Sequence, residues 1–157
     1  MCGICGELRF DGQQPDARVL QTMTQRLARR GPDASGEYRA GPVALGHQRL
    51  SVIDLSERAS QPMEDPELGL VLVFNGTIYN YPELRGQLRA SGYRFFSEGD
   101  SEVILKAYAE WGEDCTRHLH GMFAFAIWDV NRQRLFMARD RFGIKPLYYS
   151  LTAGRLR

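Results

Sequence analysis

The sequence predicts an α+β protein in which one antiparallel sheet packs on another and helices lie outside them. Three observations carry this. Met122 to Trp128 is apolar at both parities, with Phe123, Phe125 and Ile127 on one side and Met122, Ala124, Ala126 and Trp128 on the other, as in a strand covered on both faces. Arg134 to Ala138 follows it through an Asn131-Arg132 turn, which makes an antiparallel hairpin. Three further segments carry apolar residues at helical spacing. At 157 residues the chain is about one domain long and can bury a sizeable core.

Taken in order, Cys2 to Phe10 reads as a strand that ends at the Asp11-Gly12 turn signal. From Asp16, a helix cap, Val19, Leu20, Met23 and Leu27 fall on one helical face. Gly31-Pro32-Asp33 ends that helix and opens a loop. Val43 to Leu50 and Leu70 to Phe74 are apolar and read as strands, and the polar, proline-containing Ser56 to Pro66 between them reads as a surface loop. Asn75-Gly76 predicts a tight turn directly after the second strand. Pro82 suits the first turn of a helix with Leu84 and Leu88 on its apolar face and Gly92 as its stop. A further helix runs from Ser101 to Trp111, capped by Asp100 and stopped by Gly112, with Val103, Ile104, Ala107, Tyr108 and Trp111 facing inward. Leu147 to Ser150 reads as a short last strand.

Composition narrows the function classes. With 43% hydrophobic and 25% charged residues and a formal net charge of +1, nothing electrostatic points to nucleic acid or a membrane surface. No apolar run approaches the roughly 18 residues of a spanning helix. The opening MCGICGELRF lacks the basic and apolar regions of a signal peptide. Three cysteines are too few for a secreted disulfide framework, so a reducing compartment, the cytoplasm, is expected.

The chemistry starts at Cys2. A small second residue is the pattern for removal of Met1, and an exposed N-terminal cysteine carries nucleophile and base together. Its α-amine, with a reference pKa of about 7.7–8.0, can take the proton of its own thiol. Cys2 and Cys5 also form a CxxC, a pattern shared by zinc and redox sites. A tetrahedral site needs two more ligands, and the candidates Cys115, His118 and His120 do not form a second pair, so no metal is expected.

The combination of motifs is more specific than any one of them. MCGICG at the start, RRGPD at 29–33, LGHQRLSVIDLS at 45–56, QP at 61–62 and FNGTIYNYPELR at 74–85 stand in one order, followed by GDSEVILKAY at 99–108, GMFAFAIWD at 121–129 and ARDRFGIKPLYY at 138–149. Together they resemble the glutaminase domain of class II glutamine amidotransferases of the asparagine synthetase type. Thr77 and the stretch GYRFFSEGD at 92–100 are similar to the N-acetylglutaminylglutamine amidotransferase branch. The resemblance implies an N-terminal nucleophile hydrolase fold, an αββα sandwich of two antiparallel sheets, and glutamine hydrolysis to glutamate and ammonia.

It also implies roles. Cys2 matches the nucleophile, and Asn75 with Gly76 matches the pair of donors to the developing oxyanion. Arg49 matches the grip on the substrate α-carboxylate, where a planar fork is hard for Lys to replace. Asp100 matches the partner of the α-ammonium, while Leu50 and Val52 line the pocket through main-chain groups. Thr77 stands where asparagine synthetases have Glu, and Arg29 where they have His, so Asp100 is left to carry the ammonium's countercharge alone. ARDRFGIKPLYY is expected to be structural. Members of this family continue into an ATP-using synthetase domain that consumes the ammonia. The expectation is therefore a domain truncated at its C-terminus, with no cofactor of its own. ATP and Mg are expected downstream, a synthetase domain is the natural partner, and a homodimer is expected of the full-length protein. A module that has lost activity is the alternative, against which the presence of Cys2, Arg49, Asn75 and Asp100 counts.

Overall fold

A single alternation, read along each central strand, places every layer of this protein. The computed structural model describes all 157 residues. The first sheet has the order β2-β3-β1-β9-β8 and the second the order β4-β5-β6-β7. In the first, β1 (Gly3–Arg9) and β2 (Ala34–Ala40) flank β3 (Val43–Arg49), and β8 (Leu151–Thr152) and β9 (Arg155–Leu156) close the far edge. In the second, β4 (Met63–Asp65), β5 (Leu70–Ile78), β6 (Gly121–Asp129) and β7 (Arg134–Arg139) form an antiparallel meander.

Period-two alternation sends Val43 and Leu45 of β3, Val71 and Val73 of β5, and Ala126 and Trp128 of β6 into one buried cluster between the sheets, with Ile4 and Leu8 of β1 packed against it. The opposite parity of the second sheet, Leu70, Leu72, Phe74, Phe123, Phe125 and Ile127, meets Leu84 and Leu88 of α2 (Tyr81–Ala90) and Val103, Ile104 and Ala107 of α3 (Asp100–Trp111). On the outer face of the first sheet, α1 (Ala17–Arg26) lies over β1 and β3. Leu20 and Thr24 of α1 lie so close that a Cβ at Gly46 would come within 2.3 Å of Thr24 Oγ1. The layers are therefore α1, sheet, sheet, α2 with α3. This is the αββα sandwich.

Several boundaries differ from the sequence reading. Asn75-Gly76 is no turn. Both residues lie inside β5, paired with Ala124 and Phe123, and the ladder runs on to Ile78 opposite Gly121. Glycine is required at 76 because a Cβ there would stand 2.2 Å from Met122 O, so close strand approach, and not turn conformation, explains the residue. Ser56 to Pro66 is more than a loop: it holds a 3₁₀ turn at Glu57–Ala59 and β4, which pairs Met63 with Leu72. Ala34–Ala40, read as loop, is an edge strand fixed by its pairing from Ala34↔Arg49 to Ala40↔Val43. Its alternation is hidden because it is mostly exposed.

Leu147 to Ser150 contains no strand. The hairpin is one step later, in β8 and β9, turning through Ala153 and Gly154 at φ 48° and 72°, with Ser150 and Arg157 exchanging backbone bonds beside it. Asp100 is the first residue of α3 and not its cap, since Gly99 holds the cap position. Asp16 does cap α1, accepting from Arg18 N–H at 2.8 Å. Trp111 is half-buried, stacked on His118 with ring centroids 3.9 Å apart, because α3 is reaching the rim of the core there. His118 ends the short α4 (Cys115–His118), and His120 lies beyond it.

Candidate active site

The same parity that builds the core gathers the predicted site at one end of the inter-sheet layer. Cys2 shares the parity of Ile4 and Leu8, and Arg49 that of Val43 and Leu45. Asn75 and Thr77 share the parity of Val71 and Val73, and Met122 that of Ala126 and Trp128. Antiparallel pairing puts these four strand ends on one rim, since Gly3 lies opposite Gln48 and Thr77 opposite Met122. They surround a cavity of about 250 Å³ that Cys2, Arg49, Leu50, Val52, Asn75, Gly76, Thr77 and Asp100 all line. Every site residue expected from the sequence is thus brought to one place.

Parity also separates the CxxC pair. Cys5, three residues from Cys2, points to the other face of β1, with its thiol 3.5 Å from Thr24 Oγ1 and 3.7 Å from Gly46 O. Burial pushes the Cys5 thiol upward and the Cys115 thiol up to about 12, so both are held protonated and inert. Cys2 Sγ faces the cavity, where Leu50 N–H lies 3.4 Å from it and Leu50 O 3.6 Å. Two thiols on opposite faces of a strand cannot share a metal or close a disulfide.

The edge of β5 supplies the electrophilic side. Phe123 N–H donates to Asp140 Oδ2 at 3.1 Å, and Asp140 N–H donates to Phe123 O at 2.8 Å. The Phe123 backbone therefore faces away from its partner Gly76, and Gly76↔Phe123 is a non-hydrogen-bonded pair. Its neighbours of the same parity agree. Phe74 N–H goes outward to Gln61 Oε1 at 2.6 Å, and Ile78 N–H outward to Asp100 Oδ2 at 2.9 Å. Gly76 N–H lies between them on this edge, past the end of β4, and opens into the cavity. Asn75, 5% exposed, adds a side-chain amide on the inter-sheet face. A backbone N–H and a side-chain amide, donor types that can stabilise an oxyanion, thus line one cavity with the Cys2 thiol.

Charged groups are positioned by loops. Arg49 donates to Ser56 O at 3.0 Å and to Asp54 O, which fixes its guanidinium at the cavity wall. Arg85 of α2 donates to Ser97 O and Gly99 O, both at 2.7 Å, while Glu102 of α3 accepts from Phe96 and Ser97 N–H. These two clamp the loop that delivers Asp100. Burial raises the Asp100 carboxyl, partly offset by the Ile78 N–H bond, and a cationic partner would favour its charged form. Arg139 and Arg141 flank Asp140, which is no solvated charge: it is buried and accepts from Phe123, Ile144 and Lys145 N–H.

Sequence reasoning passed over three residues here. Arg30 donates to Cys2 O at 3.1 Å, and Gln61 holds Phe74. Lys145, treated as structural, lines the cavity. A lone lysine set between Ile144 and Pro146 was the available signal, since a buried cation needs a reason.

His47, of the same parity as Arg49, ties the sheets together: its Nε2–H donates to Phe74 O at 3.1 Å, and its buried Nδ1 has no partner. Burial lowers its pKa from 6.5 to about 4. The unfolded chain therefore binds one more proton between those values, and stability is expected to fall as pH drops from 6.5 toward 4. His47→Gln can retain an amide donor but cannot titrate, so the stability difference between wild type and variant should change across that window in urea melts. A pH-independent difference would contradict this.

A family model described as a glutamine amidotransferase domain matches residues 1–157. The chain belongs to the glutamine amidotransferase family. This amidotransferase domain is 44% identical over 153 residues to asparagine synthetase [glutamine-hydrolyzing] 3 of Bacillus subtilis, covering 96% of this chain and 25% of that one. It is 45% identical over 163 residues to a putative asparagine synthetase [glutamine-hydrolyzing] of Mycobacterium tuberculosis, covering 97% and 24%, and 40% identical over 168 residues to amidase chry2 of Gibberella zeae, covering 99% and 25%. The domain thus spans about a quarter of the length of these relatives. Among solved structures, glutamine phosphoribosylpyrophosphate amidotransferase from B. subtilis complexed with ADP and GMP superposes with a TM-score of 0.62 at 20% identity, covering 98% of this chain and 34% of that one. That likeness supports the αββα fold of two stacked antiparallel sheets. No helix of the domain is long and apolar enough to cross a membrane.

Proposed function

We propose that the domain hydrolyses glutamine through a Cys2 glutamyl thioester and supplies ammonia for an ATP-dependent amidation. The observation that carries this is the convergence of the Cys2 thiol, the outward Gly76 N–H and the Asn75 amide on one cavity that also holds Arg49 and Asp100. With Met1 removed, the α-amine takes the thiol proton and the thiolate adds to the side-chain amide carbon, moving the carbonyl π pair onto oxygen. Gly76 N–H and Asn75 stabilise that oxyanion. Collapse expels the amide nitrogen, which leaves as ammonia with the proton held by the amine. Water, deprotonated by the same amine, then adds to the thioester, and the sulfur leaves to regenerate the thiol and glutamate. Arg49 binds the α-carboxylate and Asp100 the α-ammonium, while Leu50 and Val52 border the substrate through the loop after β3. Thr77 offers the ammonium a hydroxyl and no charge.

The ammonia acceptor belongs to a synthetase segment using ATP and Mg. Its substrate is a carboxylate, aspartate by likeness to the asparagine synthetases. The cytoplasm is the matching location, and a homodimer of the full-length protein completes the proposal.

The test is intact-mass analysis after exposure to a glutamine-shaped electrophile, alongside ammonia release over a glutamine titration. Met1 loss and one adduct on Cys2, blocked by excess glutamine, are the expected results; labelling at Cys5, or release by chain that retains Met1, would overturn the reading. Arg49→Lys keeps the charge and loses the planar fork. It should raise KM about tenfold or more with a smaller change in kcat, because the carboxylate contact is equal in ground and transition states. An unchanged KM would remove Arg49 from the substrate site.

A further inference from the structure

Lys145 is 5% exposed, and nothing in the mechanism above employs it. Its backbone N–H donates to Asp140 Oδ2 at 2.9 Å, while its ammonium reaches the cavity and touches Met1 Sδ at 2.9 Å. A thioether is a weak acceptor, and none of the chain's ion pairs includes Lys145. The charged groups around it are accounted for. Asp140 is committed to the backbone N–H groups of Phe123, Ile144 and Lys145. Across the cavity, Asp100 holds Ile78 N–H and Asp54 holds Ser56 and Glu98 N–H, while Asp33, outside the lining, holds Ser51 N–H. Arg49 is bound to the Asp54 and Ser56 carbonyls, and Arg30, a second cation, donates to Cys2 O. Lys145 is thus a buried ammonium whose one side-chain partner is the residue that processing removes.

Excision of Met1 deletes that partner and creates an α-amine on Cys2 in the same cavity. The covalent length of Met1 bounds the separation. An extended Met1 puts Sδ about 6 Å from the Cys2 nitrogen, so the ammonium lies within roughly 9 Å of the new amine. A like charge at that distance disfavours protonation of the amine.

We propose that Lys145 acts through Cys2: its ammonium lowers the proton affinity of the mature α-amine and holds that amine in the neutral, proton-accepting form at working pH. The inference rests on the reading that this amine is the base. At an effective dielectric of about 20, the expected shift is about one pH unit, and Arg30 adds in the same direction.

Two measurements on the Met1-processed chain decide it. The first is an NMR pH titration of the ¹⁵N-labelled α-amine, which needs no activity. The wild-type midpoint should lie below the reference range of about 7.7–8.0, rise by about one unit in Lys145→Met and stay low in Lys145→Arg. The second is the pH profile of kcat/KM for glutamine, whose acid limb should move upward by the same amount in Lys145→Met and not in Lys145→Arg. A wild-type midpoint at or above the reference range overturns the proposal even if Lys145→Met fails to fold. So does an acid limb that Lys145→Met leaves in place. A chain with no glutaminase activity would sink the functional reading alone, because the amine titration still reports on Lys145.

Discussion

Cys2→Ala is expected to abolish glutamine-dependent ammonia release, with a loss on the order of 10⁴–10⁶-fold, while the thermal transition stays close to wild type. The side chain lies at the rim of the inter-sheet layer and is half-buried. Its polar contacts are the N–H and O of Leu50, so little packing is lost. Cys5→Ala should keep substantial activity, because Cys5 sits under α1 against Thr24 and Gly46. It should cost stability instead, about 1 kcal/mol for a small buried group. Steady-state ammonia release and urea melts on both variants give the comparison. If Cys5→Ala is inactive and Cys2→Ala is not, the parity argument for the nucleophile is wrong.

Asn75→Ala should reduce kcat by about 10²–10³-fold with a much smaller change in KM, the signature of a donor used chiefly in the transition state. The reasoning depends on where the residue sits. Asn75 is paired with Ala124 in the middle of the β5–β6 ladder, so the backbone around it will not move when the amide is removed. Gly76 cannot be tested as cleanly, because any Cβ there meets Met122 O at 2.2 Å and would separate β5 from β6. Single-turnover formation of the thioester, followed by mass spectrometry, isolates the step. An Asn75→Ala enzyme with normal kcat would assign the oxyanion to Gly76 N–H alone.

Strand and helix identity were legible wherever periodicity was strong. The two-faced apolar pattern of Met122 to Trp128 placed the centre of the sandwich, and the helix caps at Asp16 and Gly112 matched because capping is a local interaction. Legibility failed where pairing partners decide the conformation. Asn-Gly is a turn signal in isolation, yet nine consecutive pairs from Leu70↔Asp129 to Ile78↔Gly121 outweigh it. Ala34–Ala40 lacks an apolar stripe because an edge strand over solvent has little to bury, and its conformation comes from the β3 backbone beside it.

What the sequence by itself determined is the chemistry on offer: a thiol able to become N-terminal, an arginine fork, an amide next to a glycine, and an aspartate, in an order that resembles one family. Each of those is a property of residue type and chain position. Only the tertiary structure decided which groups can cooperate. It turned Cys5 away from Cys2, aimed Gly76 N–H outward by making Phe123 bond to Asp140, and carried Lys145 from a distant loop to the side chain of Met1. The physical reason is that parity and register act over a whole sheet. One strand's alternation shows that residues share a face, but which face meets the cavity is set by the strand packed across from it.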